Sequence, residues 1–343
     1  MYESMASQGV TQSDYELFKP RISVVGVGGG GNNTINRLSN LDIKGAGLYA
    51  FNTDAKQLGM LNPNINKLIL GKAITHGLGA GGFPEMGERA AELSKNEVDV
   101  LIRNNNLIFL TAGMGGGTGT GAAPVIAKVA KESGAIVIGI VTIPFSLERV
   151  RLETAKKGIE KLRQNVDTLI VIDNQKLVEL YPNLPIEKTF MLADEITAKA
   201  VRGITETITQ PSLINLDFAD VRSIMKAGGL SMISVGMGNG SNKVEDVVKD
   251  TLRNKLLDVD YTKATGVLVH INGGPDMTLG EANIVAKKLT ENIAPNANFV
   301  WGARVEPTYS GKIEVIAIFT GVTGSSVTGS SQKDDNNFGI DTI

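Results

Sequence analysis

Apolar and polar positions follow two alternating rhythms along the first half of this chain. Short, nearly unbroken apolar runs occur at 21–27 (Arg-Ile-Ser-Val-Val-Gly-Val), 47–51, 107–110, 135–143 and 168–172, with a briefer one at 68–70. The five longer runs, rich in Val and Ile and bounded by glycine or polar residues, predict strands buried on both faces. Between them, helical spacing predicts helices at 32–39, from Pro84 to about Ile102, after Gly121, and from the 144–151 segment to about Gln164. Pro84 suits a first helical turn, where its missing N–H would have no partner anyway. Strand and helix in alternation predict an α/β fold: a Rossmann-like parallel sheet covered on both faces, over residues 21–184.

From residue 185 the rhythm changes. Ile186, Phe190, Ala193, Ile196, Ala200, Ile204 and Ile208 keep helical spacing without a break between Pro185 and Pro211. One long central helix over 185–210 is predicted, roughly 35–40 Å at 1.5 Å per residue, long enough to join two domains. Beyond it, strand patterns at 230–235, 266–271, 298–304 and 312–320 and helical patterns at 243–255 and 279–292 predict a smaller α+β C-terminal domain over 211–323. Residues 1–20 read as a polar, flexible arm. Residues 324–343 turn to Gly, Ser, Thr and Asp and predict a disordered tail. The tail ends in Asn337-Phe-Gly-Ile-Asp-Thr-Ile343, which is either a docking motif or an incidental apolar end.

Composition removes several function classes. A length of 343 residues leaves room for two domains, each with a core. A net charge of −2 offers no basic patch for nucleic acid. With no cysteine, disulfides, thiolate catalysis and cysteine metal sites are absent, and His76 and His270 alone make a His-rich metal site or a Ser-His-Asp triad hard to build. No stretch reaches 18 apolar residues, and the first residues carry Glu3, Asp14 and Glu16 instead of a basic, apolar leader. The expectation is a cytoplasmic protein that neither inserts into a membrane nor binds nucleic acid.

The candidate chemistry lies in glycine. Gly113, Gly115, Gly116, Gly117, Gly119 and Gly121 crowd the segment between the predicted 107–110 strand and the next helix. A glycine turn at a helix start lets a ligand approach the backbone and meet unpaired N–H groups and the positive end of the helix dipole, which suits a polyphosphate. Thr118 and Thr120 add hydroxyl donors. A second glycine turn, Gly28-Gly-Gly-Gly31, follows the first strand, and a third loop spans 77–82. Gly26, Gly28 and Gly31 match the G-x-G-x-x-G fingerprint. Alone, that fingerprint permits an NAD-dependent oxidoreductase, but it leaves the second glycine loop without a task. Ala122 follows Gly121 where a P-loop needs lysine, and the Asn-Lys-x-Asp guanine motif is missing, so this is no P-loop NTPase.

Gly115-Gly-Gly-Thr-Gly-Thr-Gly121 resembles the signature of the tubulin/FtsZ family. The resemblance continues in order through residues 26–33, Asn52-Thr53-Asp54, 77–82, 144–151 and 215–220, and covers nearly all of 21–321. The glycine-rich first loop and compact second domain are nearer the prokaryotic division branch than eukaryotic tubulin. The resemblance implies a GTPase with a GTP-binding domain, a central helix and an activating C-terminal domain, polymerising head to tail into a cytokinetic ring at mid-cell. It implies that Gly28, Gly29, Gly30 and Asn32 in the first loop, and Gly115, Gly116, Gly117 and Gly119 in the second, hold GTP or GDP, mainly through backbone N–H groups on the phosphates. Thr118 would add its hydroxyl. Ala80 and Gly81 match the loop near the γ-phosphate, and Asn52 and Asp54 lie beside the phosphates and Mg2+. Glu148 and Arg151 match ribose-side residues, in a segment one residue shorter than the usual bacterial spacing. No protein cage for a metal is predicted; Mg2+ would be held mainly by phosphates and water.

Guanine presents N1–H and N2–H donors, which call for an acceptor, ideally a carboxylate. Asp194 matches the family position for that acceptor, with Asn174 reading the base from the opposite side. Phe190 lies one turn before Asp194 on the same helix face and is placed to stack on the base. The plain alternative makes Phe190 core, and Asp194 and Glu195 solvated helix charges. Asn215, Asp217 and Asp220 resemble the loop that enters the next subunit's nucleotide site and orients a water in line with the γ-phosphate. Asp217 can also cap the helix that follows while Asp220 faces water, and both roles can hold together. The end of the tail lacks the proline-containing, basic peptide of bacterial members and is nearer archaeal ones; a membrane-tethering division protein is its expected partner.

Overall fold

The computed structural model describes residues 19–41, 43–210, 212–214, 216–226 and 228–323, apart from the side chains of Ile186 and Thr207. Most of the N-terminal arm, the tail with its 337–343 motif, and Asn215 lie outside the described residues.

Ten strands form one sheet: β1 (Ile22–Val27), β2 (Ala46–Asn52), β3 (Asn66–Ile69), β4 (Leu107–Gly113), β5 (Ile136–Ile143), β6 (Thr168–Asp173), β7 (Gly229–Asn239), β8 (Gly266–Gly273), β9 (Asn298–Val305) and β10 (Lys312–Thr320). Their spatial order is β3-β2-β1-β4-β5-β6-β7-β10-β8-β9. Strands β1 to β7 are parallel. β10 is antiparallel to both β7 and β8, and β9 is parallel to β8, so β10 alone runs against the rest. From β1 the chain steps outward to β2 and β3, then returns to place β4 on the other side of β1. The carboxyl ends of β1 and β4 therefore flank a switch point, where open α/β sheets form a ligand crevice.

The predicted parallel α/β half is present, and its sheet runs on without a gap into the C-terminal half. Thr168, Leu169 and Ile170 of β6 pair with Gly229, Leu230 and Ser231 of β7. Alternate residues of each strand face opposite sides. Val25, Val27, Ile108 and Leu110 join a buried cluster that reaches Val267 and Val315. Val24, Leu107 and Phe109 join another that reaches Leu268 and Ile316. Each face thus has one apolar cluster shared by both halves.

Several boundaries differ from expectation. The first helix begins at Gly28, not Asn32, and runs to Asn40. Glycine is a poor helix former, but a Cβ on Gly31 would come within 2.2 Å of the Thr111 carbonyl, so only glycine lets this first turn lie against β4. The helix after β4 likewise starts early, at Thr118. The helix expected from Pro84 to Ile102 is two, Pro84–Leu93 and Lys95–Ile102. Ser94 breaks it with non-helical torsions and its buried Oγ accepts from the Gly71 N–H at 2.9 Å. A short helix, Asn174–Leu180, capped by Asp173, follows β6 and was not foreseen.

The central helix is Ile186–Thr209. Ala193, Ile196, Ala200 and Ile204 are buried as the spacing predicts, whereas Phe190 is 44% exposed and so is not core. An ionic seam ties the helix to the C-terminal strands. Lys199 Nζ lies 2.9 Å from Glu314, whose other oxygen accepts from the Tyr309 hydroxyl at 2.7 Å. Glu206 pairs with Arg202 at 3.1 Å and with Arg304 of β9, its side chain only 4% exposed.

Candidate functional site

Three loops meet at the switch point because glycine lets them. Gly28 has a φ of +70°, and a Cβ there would stand 2.7 Å from the Gly119 backbone nitrogen, so the loops after β1 and β4 touch main chain to main chain. The loop at 77–82 is stitched on by backbone bonds from Ala55 N to Gly77 O (2.9 Å) and from Gly79 N to Thr53 O (3.1 Å). The Thr53 and Thr118 hydroxyls share a hydrogen bond of 2.6 Å.

These loops floor a cavity of about 730 Å³ that extends along the sheet's carboxyl edge to the first turns of the central helix. The volume suits a ligand of nucleotide size. Of the residues expected to bind nucleotide, Gly29, Gly30, Asn52, Asp54, Ala80, Gly81, Gly116, Gly117, Thr118, Gly119, Glu148, Arg151, Asn174, Phe190 and Asp194 line it. Gly28, Asn32 and Gly115 do not, and each has a structural task in these loops. Gly115 donates its N–H to Thr120 Oγ1 at 2.9 Å, so that oxygen braces the loop as an acceptor. Asn32 is buried beneath the turn, where its amide, suitably oriented, donates to Gly26 O and accepts from Asn52 Nδ2, each at 2.9 Å.

Helix geometry explains the exchange of Asn32 for Asn33, which does line the cavity. Because the helix starts at Gly28, Gly29 and Asn33 share an outward face four residues apart, while Gly28 and Asn32 turn inward. The same rule finds two lining residues that sequence reading missed, Glu187 and Met191. Glu187, Phe190, Met191 and Asp194 fall at i, i+3, i+4 and i+7 on the central helix, a single stripe along the cavity wall. Gln57 joins them, accepting from Asn52 Nδ2 at 3.0 Å.

At the phosphate end, a Cβ built on Gly116 meets nothing within 4 Å, so its backbone is open to a ligand. At the other end the groups have the character of a base site. Asn174 is buried, and its Oδ1 has no hydrogen-bond partner among the described residues, which leaves an acceptor for a ligand to satisfy. Asp194 accepts from the Thr34 hydroxyl at 2.7 Å. Burial pushes its carboxyl up to about 6, opposed by the Thr34 hydrogen bond and by the Arg37 charge. Glu148 and Arg151 pair at 2.6 Å on the rim, so the short spacing between them still brings both to the site. A buried acceptor, a desolvated carboxylate and an aromatic ring beside a backbone anion cradle suit a purine nucleotide with ring N–H donors.

Asp217 and Asp220 are exposed and lie away from this cavity. Asp217 Oδ1 accepts from Ala219 N at 3.0 Å and so caps the helix Phe218–Lys226.

Residues 21–182 match the Tubulin/FtsZ family, GTPase domain, and residues 229–323 match the FtsZ family, C-terminal domain. The chain is 52% identical over 318 residues to cell division protein FtsZ 2 of Halobacterium salinarum, covering 93% of this chain and 81% of that protein. It is 52% identical over 321 residues to cell division protein FtsZ 2 of Methanocaldococcus jannaschii, covering 93% and 84%. Among solved structures, an FtsZ dimer from M. jannaschii superposes with a TM-score of 0.86 at 42% identity, covering 97% of this chain and 100% of that one. The switch-point glycine loops and the purine-suited wall of the central helix thus sit in a sequence and a fold shared with these proteins, and the chain belongs to the tubulin/FtsZ family, carrying its GTPase domain followed by the FtsZ C-terminal domain.

Proposed function

We propose that this chain is a cell-division GTPase of the FtsZ type, which polymerises head to tail and hydrolyses GTP at a site shared by adjacent subunits. The observation that carries the reading is a separation. Asp194 lines the cavity, and the central helix runs on from it to Thr209 before the segment bearing Asp217 and Asp220. That is about 22 Å of rigid helix at 1.5 Å per residue. A subunit's own carboxylate pair therefore stands far from its own phosphate loops, and a second copy supplies them.

In this reading Gly29, Gly30, Gly116, Gly117 and Gly119 hold the phosphates through backbone N–H groups, while Asp194 and Asn174 read guanine and Phe190 stacks on it. Asp217 and Asp220 of the neighbour accept hydrogen bonds from a water and, with Asn215 beside them, hold it in line with the γ-phosphate. Water oxygen bonds to phosphorus as the bond to the GDP oxygen breaks, and the water's proton ends on the released phosphate. The chain contributes position and electrostatics only, which suffice for phosphoryl transfer.

Mg2+ accompanies the nucleotide in this proposal. Among the described residues no group of three His, Asp or Glu could hold a metal ion. The ion would be bound mainly by phosphate oxygens and water, with Asn52 and Asp54 at the cavity wall near it. Such an ion offsets phosphate charge. No helix among the described residues is long and apolar enough to cross a membrane. A ring at mid-cell, tethered to the membrane by a partner bound to the tail, completes the reading.

Phosphate release measured against protein concentration tests it. The rate per subunit should rise steeply with concentration, and Asp220→Ala should abolish hydrolysis while GTP still binds. A concentration-independent rate, or equal loss of binding and hydrolysis, would overturn the shared site.

A further inference from the structure

Thr34 lies outside the cavity lining, yet its hydroxyl makes the hydrogen bond to Asp194 Oδ1, across 160 positions of sequence. The same hydroxyl is 3.4 Å from the Gly30 carbonyl, the usual back-bond of a helical threonine at the limit of its reach. The short bond is the one to Asp194. Arg37, one turn further along the same helix, adds its charge near the carboxylate, and its buried Nε has no hydrogen-bond partner among the described residues. This helix begins with the glycines of the phosphate loop.

We propose that Thr34 is a positioning residue for guanine recognition: its hydroxyl holds Asp194 in the orientation and charge state that reads the base, and fixes that reader to the helix that carries the phosphate cradle. The proposal rests on Asp194 being the guanine reader.

Two effects give the hydroxyl this role. Asp194 is desolvated, and its carboxyl is pushed up to about 6 even with Thr34 and Arg37 pulling the other way. A protonated carboxyl turns one acceptor into a donor and can no longer face two ring donors at once. A hydrogen bond to the ionised form preserves it. The second effect is geometric. An aspartate in a cavity wall has rotamers to choose from, and a buried donor on a neighbouring helix selects one. Thr34 and Gly28–Gly30 share that helix, so the distance between base reader and phosphate cradle is set by one rigid element.

The bland alternative is a buried hydroxyl that merely finds an acceptor. The test compares wild type with Thr34→Val, Thr34→Ala, Thr34→Ser and Asp194→Asn. For each, equilibrium binding of GDP and of IDP, which lacks the N2 amino group, is measured from pH 5 to 8, together with the melting temperature without nucleotide. Thr34→Val and Thr34→Ala should each bind GDP about tenfold more weakly at pH 7, as expected for a lost hydrogen bond to a charged group. Their acid limb of binding should move to higher pH, and the preference for GDP over IDP should shrink. Thr34→Ser should restore all three.

A lowered melting temperature in Val and Ala with an unmoved acid limb and an intact GDP preference would overturn the proposal. The Asp194→Asn arm separates the two levels. If that variant loses the preference while both hydroxyl-free variants match wild type, Thr34 has no such role and Asp194 keeps its own. If Asp194→Asn itself keeps the wild-type preference and acid limb, the base reader is misassigned and the role of Thr34 falls with it.

Discussion

Phe145 and Phe190 meet in a T-shaped contact, ring centroids 5.0 Å apart and planes at 63°. Phe145 is buried just beyond β5, whereas Phe190 projects from the central helix into the cavity wall. Such pairs contribute about 0.5–1.5 kcal/mol beyond area burial, enough to hold a half-exposed ring ready for a flat ligand. Phe190→Ala should weaken GTP and GDP together by about tenfold, since base–aromatic stacking contributes about 1–3 kcal/mol. Hydrolysis per nucleotide-filled, assembled subunit should be unchanged. A titration with fluorescent GDP and a rate at saturating GTP check both.

Acid should weaken guanine binding before it unfolds the protein. With the Asp194 carboxyl at about 6, affinity should fall as pH drops through that value, and binding near pH 6 should release protons, because the ligand needs the ionised form. Calorimetry in buffers of different ionisation enthalpy reads that release. The stability effect has the opposite sense. The folded carboxyl titrates above its unfolded value of 3.8, so the empty folded state binds more protons between about pH 4 and 6 and loses stability as pH rises through that window. Melting temperatures of nucleotide-free wild type and Asp194→Asn should therefore diverge in the variant's favour from pH 4 to pH 7.

Two glycines of the phosphate loops should fail in different ways. Gly28→Ala places a methyl 2.7 Å from the Gly119 nitrogen at a φ of +70°, so the loops must part and the protein should melt at a clearly lower temperature. Gly116→Ala meets nothing within 4 Å and should melt as wild type does, yet its methyl stands where phosphate approaches, so nucleotide affinity should fall. Melting curves and binding isotherms on the two variants separate packing from ligand access.

Glu206→Ala should destabilise the seam and spare the cavity. The carboxylate is buried between Arg202 and Arg304, and removing it leaves both guanidiniums to Glu306 alone, 3.5 Å from each, so stability should fall. Glu206 lies well along the helix from the cavity residues, so GDP affinity measured below the melting point should stay near wild type. Denaturant unfolding and nucleotide titration decide the matter.

Much of this architecture was legible because strands and the central helix announce themselves through apolar period. The predicted strand runs all appear, and Ala193 to Ile204 bury as their spacing requires. The phosphate loops were legible because glycine has few other reasons to cluster so densely. What escaped was set by tertiary contact. Gly28–Gly31 read as a turn from propensity, and only packing against β4 makes it helical. That shift moved the cavity face from Asn32 to Asn33. The acceptor role of Thr120 Oγ1 was not legible either, because nothing local shows that the Gly115 N–H will reach it. The β6–β7 pairing, which joins both halves in one sheet, follows from no periodicity at all. Asn174 drew attention only by resemblance, whereas the structure adds its unpaired, buried oxygen.

The length of the central helix has one more consequence. With the cavity near one end of it and Asp217 and Asp220 beyond the other, the proposed shared site would give each subunit a distinct front and back, and a filament built from such units a direction. At one of its ends the last pocket always lacks a neighbour. In the proposed shared site the nucleotide there would be held but not cut until the next subunit arrives.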